Sequence, residues 1–348
     1  MENIEAYRAI YQASFRRSRT ARTQWFFDRL LRSDSDVRVS PDAKSGMIAR
    51  VYPFVFHGRE LPLLNISRAV TVPGERRQGR MTALMNDVLI RSADAGIAFA
   101  SLTPPGRRLY FFFDRFGFAT AASYAEERYA AGHTFRINDC VEGCEPSAAL
   151  LRAIAAPRGM TPLLGDSDFR LLCEQLALDD GMVVAETDAF GGGAILFAGR
   201  PDPGEGITVH ALVADSASAA EAALASLLAA VSGPMSLTLR RDAAGAPRAR
   251  LRAGAMFRIV NAAAVLSAVA ACVPELSMLI RIHDGIIACN NADFRLAEGR
   301  VVSSQHAASK ADLEVSISTL ACILFSEPHV GDIFDLPACR IAPLILPG

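Results

Sequence analysis

Between Val72 and Met81 the chain reads Val-Pro-Gly-Glu-Arg-Arg-Gln-Gly-Arg-Met, and the residue types there point to one chemistry, the holding of an anion. Arg76, Arg77 and Arg80 concentrate guanidinium groups, Gln78 adds an amide, and Gly79 allows a sharp bend. A loop of this kind binds an oxyanion when it opens a helix, because the unpaired N–H groups of the first turn and the helix dipole face the ligand together. The flanking segments have the right periodicities. Leu64, Ile66, Val70 and Val72 alternate with Asn65, Ser67, Ala69 and Thr71, which predicts a strand with one apolar face, ended by Pro73 and Gly74. Leu84, Met85, Val88 and Leu89 have helical spacing, with Gly96 as a stop. Downstream, Ile97 to Leu102 reads as a buried strand, followed by the aromatic segment Tyr110 to Phe118.

The string Arg76-Arg77-Gln78-Gly79-Arg80-Met81 resembles the pyrophosphate loop of the GNAT acetyltransferases, R/Q-x-x-G-x-G/A, with Met81 departing from the small final residue. Phe113-Asp114-Arg115-Phe116-Gly117-Phe118 resembles that superfamily's closing motif, an aromatic residue before a charged pair and Phe-Gly-Phe. The resemblance implies acetyl coenzyme A as cosubstrate. It places Arg76, Arg77, Gln78, Gly79, Arg80 and Met81 around the pyrophosphate, and the main chain of Val70 and Val72 along the pantetheine arm and acetyl oxygen.

At 348 residues the chain exceeds one ordinary core and suits two or three domains. A formal net charge of −1, with 51% apolar and 21% charged residues, gives no bias toward nucleic acid or a membrane surface. The N-terminal stretch to Leu31 carries six arginines without a continuous apolar core, so it does not read as a signal peptide. The longest nonpolar run, residues 262–273, is well short of the roughly 20 residues that span a bilayer. A cytoplasmic location is the expectation. The seven cysteines are dispersed, and Cys140 and Cys144 have no second pair to complete a zinc site.

Residues 1–136 are assigned to a catalytic GNAT domain. Tyr7, Ile10, Tyr11, Ser14 and Phe15 have helical spacing, as do Trp25, Phe26, Arg29 and Leu30; these aromatics either wall the amine side of the cleft or form core. Residues 137–271 read as a second, degenerate GNAT-like domain. Helices are expected at 147–155, 168–178 and 218–231, with Ser218 and Glu221 as a capping box, and strands at 182–186, 194–198 and 208–213. Its strand-to-helix junction, Val213-Ala214-Asp215-Ser216-Ala217, has neither glycine nor arginine, and its aspartate repels a pyrophosphate. Gly191 to Gly193 read as a turn.

Gly254-Ala255-Met256-Phe257-Arg258-Ile259-Val260 resembles the "GM-x-R-I/V-V" string of the Eis-like acetyltransferases. That resemblance implies an α/β chain of two GNAT-type mixed-sheet domains and a smaller sterol-carrier-like α+β domain at residues 272–348. It also implies a homo-oligomer. In that group a tyrosine of the closing motif protonates the departing thiolate; here the matching residue is Phe113, which has no proton to give. Tyr110, three residues earlier, shares a helical face with it and is either a substitute acid or a packed aromatic. The general base of the group is the C-terminal carboxylate, which maps to Gly348 at the end of Pro343-Leu344-Ile345-Leu346-Pro347-Gly348.

The expected function is therefore transfer of acetyl from acetyl coenzyme A to a primary amine, on a small molecule or a lysine, by direct attack in a ternary complex. The rival reading is a catalytically impaired GNAT that binds coenzyme A or an apolar ligand. A GxSxG hydrolase, a GxGxxG dehydrogenase and a metal enzyme lack their motifs, the six histidines being scattered singly.

Overall fold

The computed structural model describes residues 2–15, 20–31, 33–121, 123–135, 141–178, 180–188, 190–199, 206–231, 236–242, 250–305, 310–325, 333–334, 336–337, 340–341 and 346–347. They form two compact units, residues 1–122 with 254–339, and residues 123–253 with 340–347.

The first unit opens with α1 (Glu2–Ser14) and α2 (Ala21–Trp25), which runs into a π-helical turn at Phe26–Leu30. β1 (Val37–Val39) lies antiparallel to β2 (Ser45–Phe56), and β2 turns through His57 and Gly58 into antiparallel β3 (Arg59–Thr71). α3 (Arg80–Asp94) carries the chain to β4 (Phe99–Leu102), parallel to β3. α4 (Arg107–Asp114) and β5 (Ala119–Thr120) follow. Apolar residues at helical spacing on α3 face an interior shared by Leu64, Ile66, Leu102, Phe113, Phe116 and Phe118.

The second unit contains β6 (Ser123–Tyr129), β7 (Val141–Gly143), α5 (Ala148–Ala155), β8 (Gly159–Pro162), α6 (Asp166–Ala177), β9 (Met182–Asp188), β10 (Gly193–Gly199), β11 (Ile207–Ala214), α7 (Ala217–Ala230), β12 (Leu237–Asp242) and β13 (Arg250–Ala253). β10 and β11 are antiparallel, and α7 crosses to β12, which is parallel to β11. This repeats the β2, β3, α3, β4 order of the first unit. The predicted elements of this region are all present, but the cap of α7 is not Ser218. Ser216 has the extended backbone of an N-cap and its hydroxyl accepts from Ala219 N, because Asp188 holds that hydroxyl in place.

The chain returns to the first unit with β14 (Met256–Ile259), α8 (Ala262–Cys272), β15 (Met278–His283), β16 (Asp293–Ala297), β17 (Arg300–Ser304), β18 (Leu313–Ser316) and α9 (Ile317–Phe325); a last strand, β19 (Arg340–Ile341), pairs with β8 in the second unit. β14 pairs with β4 and β5, so residues 254–271, which the expected boundary at 271 counts with the middle region, lie in the first unit and complete its sheet. The remaining four strands form a separate mixed sheet in the order β17-β16-β15-β18. The whole is a mixed α/β fold, as expected. No helix among the described residues is long and apolar enough to cross a membrane.

A buried ion pair ties this C-terminal segment to the sheet of the first unit. Arg258, on β14, donates to both carboxylate oxygens of Asp284 at 2.8 Å and to the Phe116 carbonyl at the end of the closing motif. Gly117, at φ +78°, leaves the space the guanidinium occupies; a Cβ there would collide with it. Two strings that look independent in the sequence, Phe-Gly-Phe and the "GM-x-R" arginine, are thus two halves of one contact.

Candidate active site

The strand-to-helix bend is where the sequence puts it. Val72 ends the strand, Pro73–Glu75 make one 3-10 turn, and Gly79 enters α3 in the left-handed conformation, φ +78°. No side chain caps α3, and its first turn contains no acidic residue. The first amide seen bonding back along the helix is that of Ala83, which donates to Gly79 O at 2.9 Å. The amides of Arg80, Met81 and Thr82 are left facing outward, with the positive end of the dipole behind them. Nothing lies within 4 Å of where a Gly79 Cβ would be, so the concave side is open. The Met81 side chain packs against the core below α3, which takes its bulk away from the loop.

The cations differ in commitment. Arg76 and Arg77 are exposed; Arg76 Nε donates to Thr71 O at 3.2 Å, and Arg77 sits at φ +63° with its guanidinium unbonded among the described residues. Gln78 reaches Gly74 O at 3.4 Å. Arg80 is held on both sides: its Nε bonds to Asp42, an amino group reaches Glu75 at 3.1 Å, and another bonds to Gln78. The Ser40 hydroxyl and Arg80 lower the Asp42 carboxyl to about 2. Nothing in the local sequence signals Asp42, which comes from the turn before β2.

β3 is not a simple two-faced strand. Gly46 pairs with Val70 but Ile48 pairs with Ser67, so β3 carries one extra residue at Arg68–Ala69, and Arg68 takes φ +49°. The bulge reverses the alternation: Leu64, Ile66 and Ala69 share the α3 face, while Val70 and Val72 fall on the other, contrary to the single apolar face expected. It also fixes which amides are available. Val72 N donates to Lys44 O at 3.0 Å, so that amide is spent within the sheet. Alternation turns Val70 toward β2 as well, where it pairs with Gly46. The groups facing the opposite edge are those of Ala69 and Thr71; the Thr71 carbonyl accepts from Arg76 and from Ser14 Oγ at 3.4 Å. Among the described residues no strand pairs with that edge at this point, because β4 matches β3 only over Leu63–Asn65 and Phe99–Ser101.

On the α1 side the aromatics are largely core. Tyr7, Tyr11, Phe26 and Phe27 are buried, and Phe15 is exposed. Tyr7 donates to the Arg68 carbonyl at 2.8 Å, and burial pushes its phenol upward. Phe113 lies in the core beneath α3, and Tyr110 packs on the same cluster with its hydroxyl donating to Gly254 O at 2.7 Å. Gly348 lies outside the described residues, as does Cys140. No group of His, Cys, Asp or Glu among the described residues is arranged to hold a metal ion.

In the second unit the equivalent bend is flanked by carboxylates. Asp188 accepts from the Phe190 and Gly192 amides and from Ser216, Ser216 caps α7, and Asp215 accepts from Gly193 N at 2.6 Å. Asp188 and Asp215 thus put negative charge beside the capped N-terminus of α7.

Comparison with known proteins agrees with this geometry. Residues 1–121 match the family model described as an acetyltransferase (GNAT) domain. No curated protein matches the chain. Among solved structures, a probable N-acyltransferase from Enterococcus faecalis is 17% identical with a TM-score of 0.74, covering 99% of this chain and 96% of that one. A GCN5-related N-acetyltransferase from Anabaena variabilis is 16% identical with a TM-score of 0.72, covering 94% and 88%. Eis1 from Mycobacterium abscessus is 20% identical with a TM-score of 0.64, covering 86% and 87%. At these identities the likeness is one of fold. Residues 1–121 are thus similar to a GNAT acetyltransferase domain, and the chain as a whole has the fold of these solved structures.

Proposed function

We propose that this chain is an N-acetyltransferase that moves acetyl from acetyl coenzyme A to a primary amine by direct attack in a ternary complex. The observation that carries the reading is the pairing of an uncapped, acid-free helix N-terminus at Gly79–Thr82 with the stretch of β3 beyond Asn65 that β4 does not pair. Amides of the first turn, with Arg76 and Arg77, suit a pyrophosphate; the unpaired edge at Ala69 and Thr71 suits an amide-bearing arm and a thioester oxygen. Arg80 contributes once its ties to Asp42 and Glu75 are shared with the ligand. Bound there, the thioester supplies the electrophile, and the chain orients it against an amine arriving from the α1 side.

Proton handling favours modest catalysis. Phe113 has no proton to give and is enclosed in core; Tyr110 has one, but it is directed to the Gly254 carbonyl and must rotate away to reach a leaving thiolate. Loss of a general acid typically removes 10²–10⁴-fold of a rate, not all of it. The C-terminal carboxylate of Gly348 remains the proposed base. A cytoplasmic homo-oligomer belongs to the same proposal. The committed Tyr110 hydroxyl is also what supports the rival, a coenzyme-A-binding protein without turnover. Calorimetric titration with acetyl coenzyme A, followed by thiol release over an amine panel, separates them: binding with turnover supports the transferase, binding alone the rival, and no binding removes both.

A further inference from the structure

Arg68 is a cation in search of an anion. It stands at the β3 bulge, next to Ala69, which is turned away from β2, and its side chain lies on the α1 face from which an acceptor would approach. Its guanidinium stacks over Phe26 at 4.2 Å and donates to the Tyr11 hydroxyl at 3.0 Å. Both contacts orient it, and neither balances its charge. Arg68 Nε is buried without a hydrogen-bond partner, and no ion pair to Arg68 exists among the described residues. Three aspartates of this wall are engaged elsewhere: Asp28 with Arg8 at 3.3 Å, Asp36 with Arg50 at 3.7 Å, and Asp34 with the Ile4 amide at 3.2 Å.

A half-buried guanidinium held rigidly without a carboxylate is unfavourable unless something external pairs with it. Its backbone is strained as well, at φ +49° in a non-glycine residue, and such strain persists where the surroundings enforce it. Tyr7 enforces it here by donating to the Arg68 carbonyl from the interior. We propose that Arg68 receives a carboxylate on the acceptor, so that the preferred substrates are primary amines bearing a carboxylate, amino acids in the broad sense, and not polycations. This rests on the transferase reading above, and concerns only its acceptor. A charge-assisted, planar contact to a carboxylate is the interaction a stacked arginine is best shaped to make.

The test compares matched acceptors that differ by the carboxylate alone: lysine against cadaverine, and β-alanine against ethylamine. With the full chain and saturating acetyl coenzyme A, kcat/KM is expected to favour the carboxylate member of at least one pair by about tenfold or more, the worth of one hydrogen bond to a charged group. Arg68→Gln is expected to erase that ratio and Arg68→Lys to keep part of it, while the Kd of acetyl coenzyme A stays unchanged in both. A purely structural arginine would alter stability or all acceptors alike, not the ratio within a pair. Ratios near one, or favouring the decarboxylated amine, overturn the proposal and leave the transferase reading standing. If no amine is turned over, the transferase reading falls, and calorimetry of the same pairs on the coenzyme-A-loaded protein still decides: tighter binding of the carboxylate member by the unmodified chain but not by Arg68→Gln supports the subsite, and equal binding rejects it.

Discussion

Neutralising one partner of the Arg258–Asp284 pair is the perturbation whose consequence the structure specifies most closely. Both side chains are 1% exposed, and the carboxylate is shared among several donors: Arg258, the amides of Ile286 at 2.9 Å and Ile287 at 3.1 Å, and Asn290 Nδ2 at 3.0 Å. Asn290 in turn holds Val260 O and the Ala262 amide, so the network joins β14, the N-terminus of α8 and the turn after β15. Asp284→Asn keeps the shape and removes the charge, leaving Arg258 a buried cation whose protein partners are neutral. Removing one member of a buried pair costs about 3–5 kcal/mol. Arg258→Met leaves the carboxylate its three neutral donors and fills the space with apolar atoms, so its effect falls at the lower end, about 3 kcal/mol. The double variant is expected to lose about 1 kcal/mol or more less than the sum, since the second change removes a charge already stranded. Trp25 is the sole tryptophan and lies in the first unit, so urea unfolding followed by its fluorescence reports the relevant region. In thermal melts, 3–5 kcal/mol corresponds to a fall of about 6–20 °C for a unit of this size. Single variants within about 1 kcal/mol of the parent, or strictly additive losses, would refute the view that this pair fastens the C-terminal segment to the sheet.

Further outcomes follow from the loop and from α4. Arg76→Ala combined with Arg77→Ala is expected to raise the Kd of acetyl coenzyme A by about tenfold or more and to flatten its salt dependence, measured by calorimetry at two ionic strengths. Asp42→Asn removes a negative charge beside the bend and releases Arg80, so the Kd should fall by about two- to fivefold; a rise would show that Asp42 aims Arg80 at the ligand. Because the Asp42 carboxyl is lowered from 3.8 to about 2 in the folded chain, the tie to Arg80 is complete above pH about 4 and is lost as pH falls through about 2, which a carboxyl titration by NMR would trace. Tyr110→Phe is expected to change kcat by less than about threefold if the hydroxyl serves only Gly254, and by about a hundredfold if it also protonates the thiolate. Phe113→Tyr would bury a hydroxyl in apolar core, so the expected result is a loss of about 1–3 kcal/mol in urea unfolding without faster turnover.

The strand-to-helix bend was legible because its signals are local. The run from Val72 to Met81 and the helical spacing that follows specify the bend, and the structure forms it at those residues. The bulge at Arg68–Ala69 was not legible. Leu64, Ile66, Val70 and Val72 satisfy a period of two without interruption, and only the partner strand, through Gly46 and Ile48, reveals the extra residue. That single insertion leaves Val70 and Val72 turned toward β2 and Ala69 and Thr71 turned away from it. Asp42 and the Arg258–Asp284 pair were invisible for a different reason. Each joins residues 26 or more positions apart, and a charged side chain within an apolar string, as Arg258 is in Gly254–Val260, does not announce its counter-ion.

The second unit acts as an internal control for the argument about the first. Both present an antiparallel pair, a crossover helix and a parallel third strand, so backbone geometry alone does not distinguish a binding bend from an inert one. What differs is how the helix N-terminus is satisfied. At α7 the Ser216 hydroxyl, held by Asp188, caps the helix by accepting from Ala219 N, and the neighbouring carboxylates add negative charge. At α3 no side chain performs that service, and the adjacent loop is basic where the other is acidic. An unsatisfied helix terminus is tolerated in a folded chain when solvent or a ligand completes it, and guanidinium groups around it select an anion for the task. The case for a cofactor bend at Gly79 therefore lies less in the shared fold than in the contrast with its own repeat.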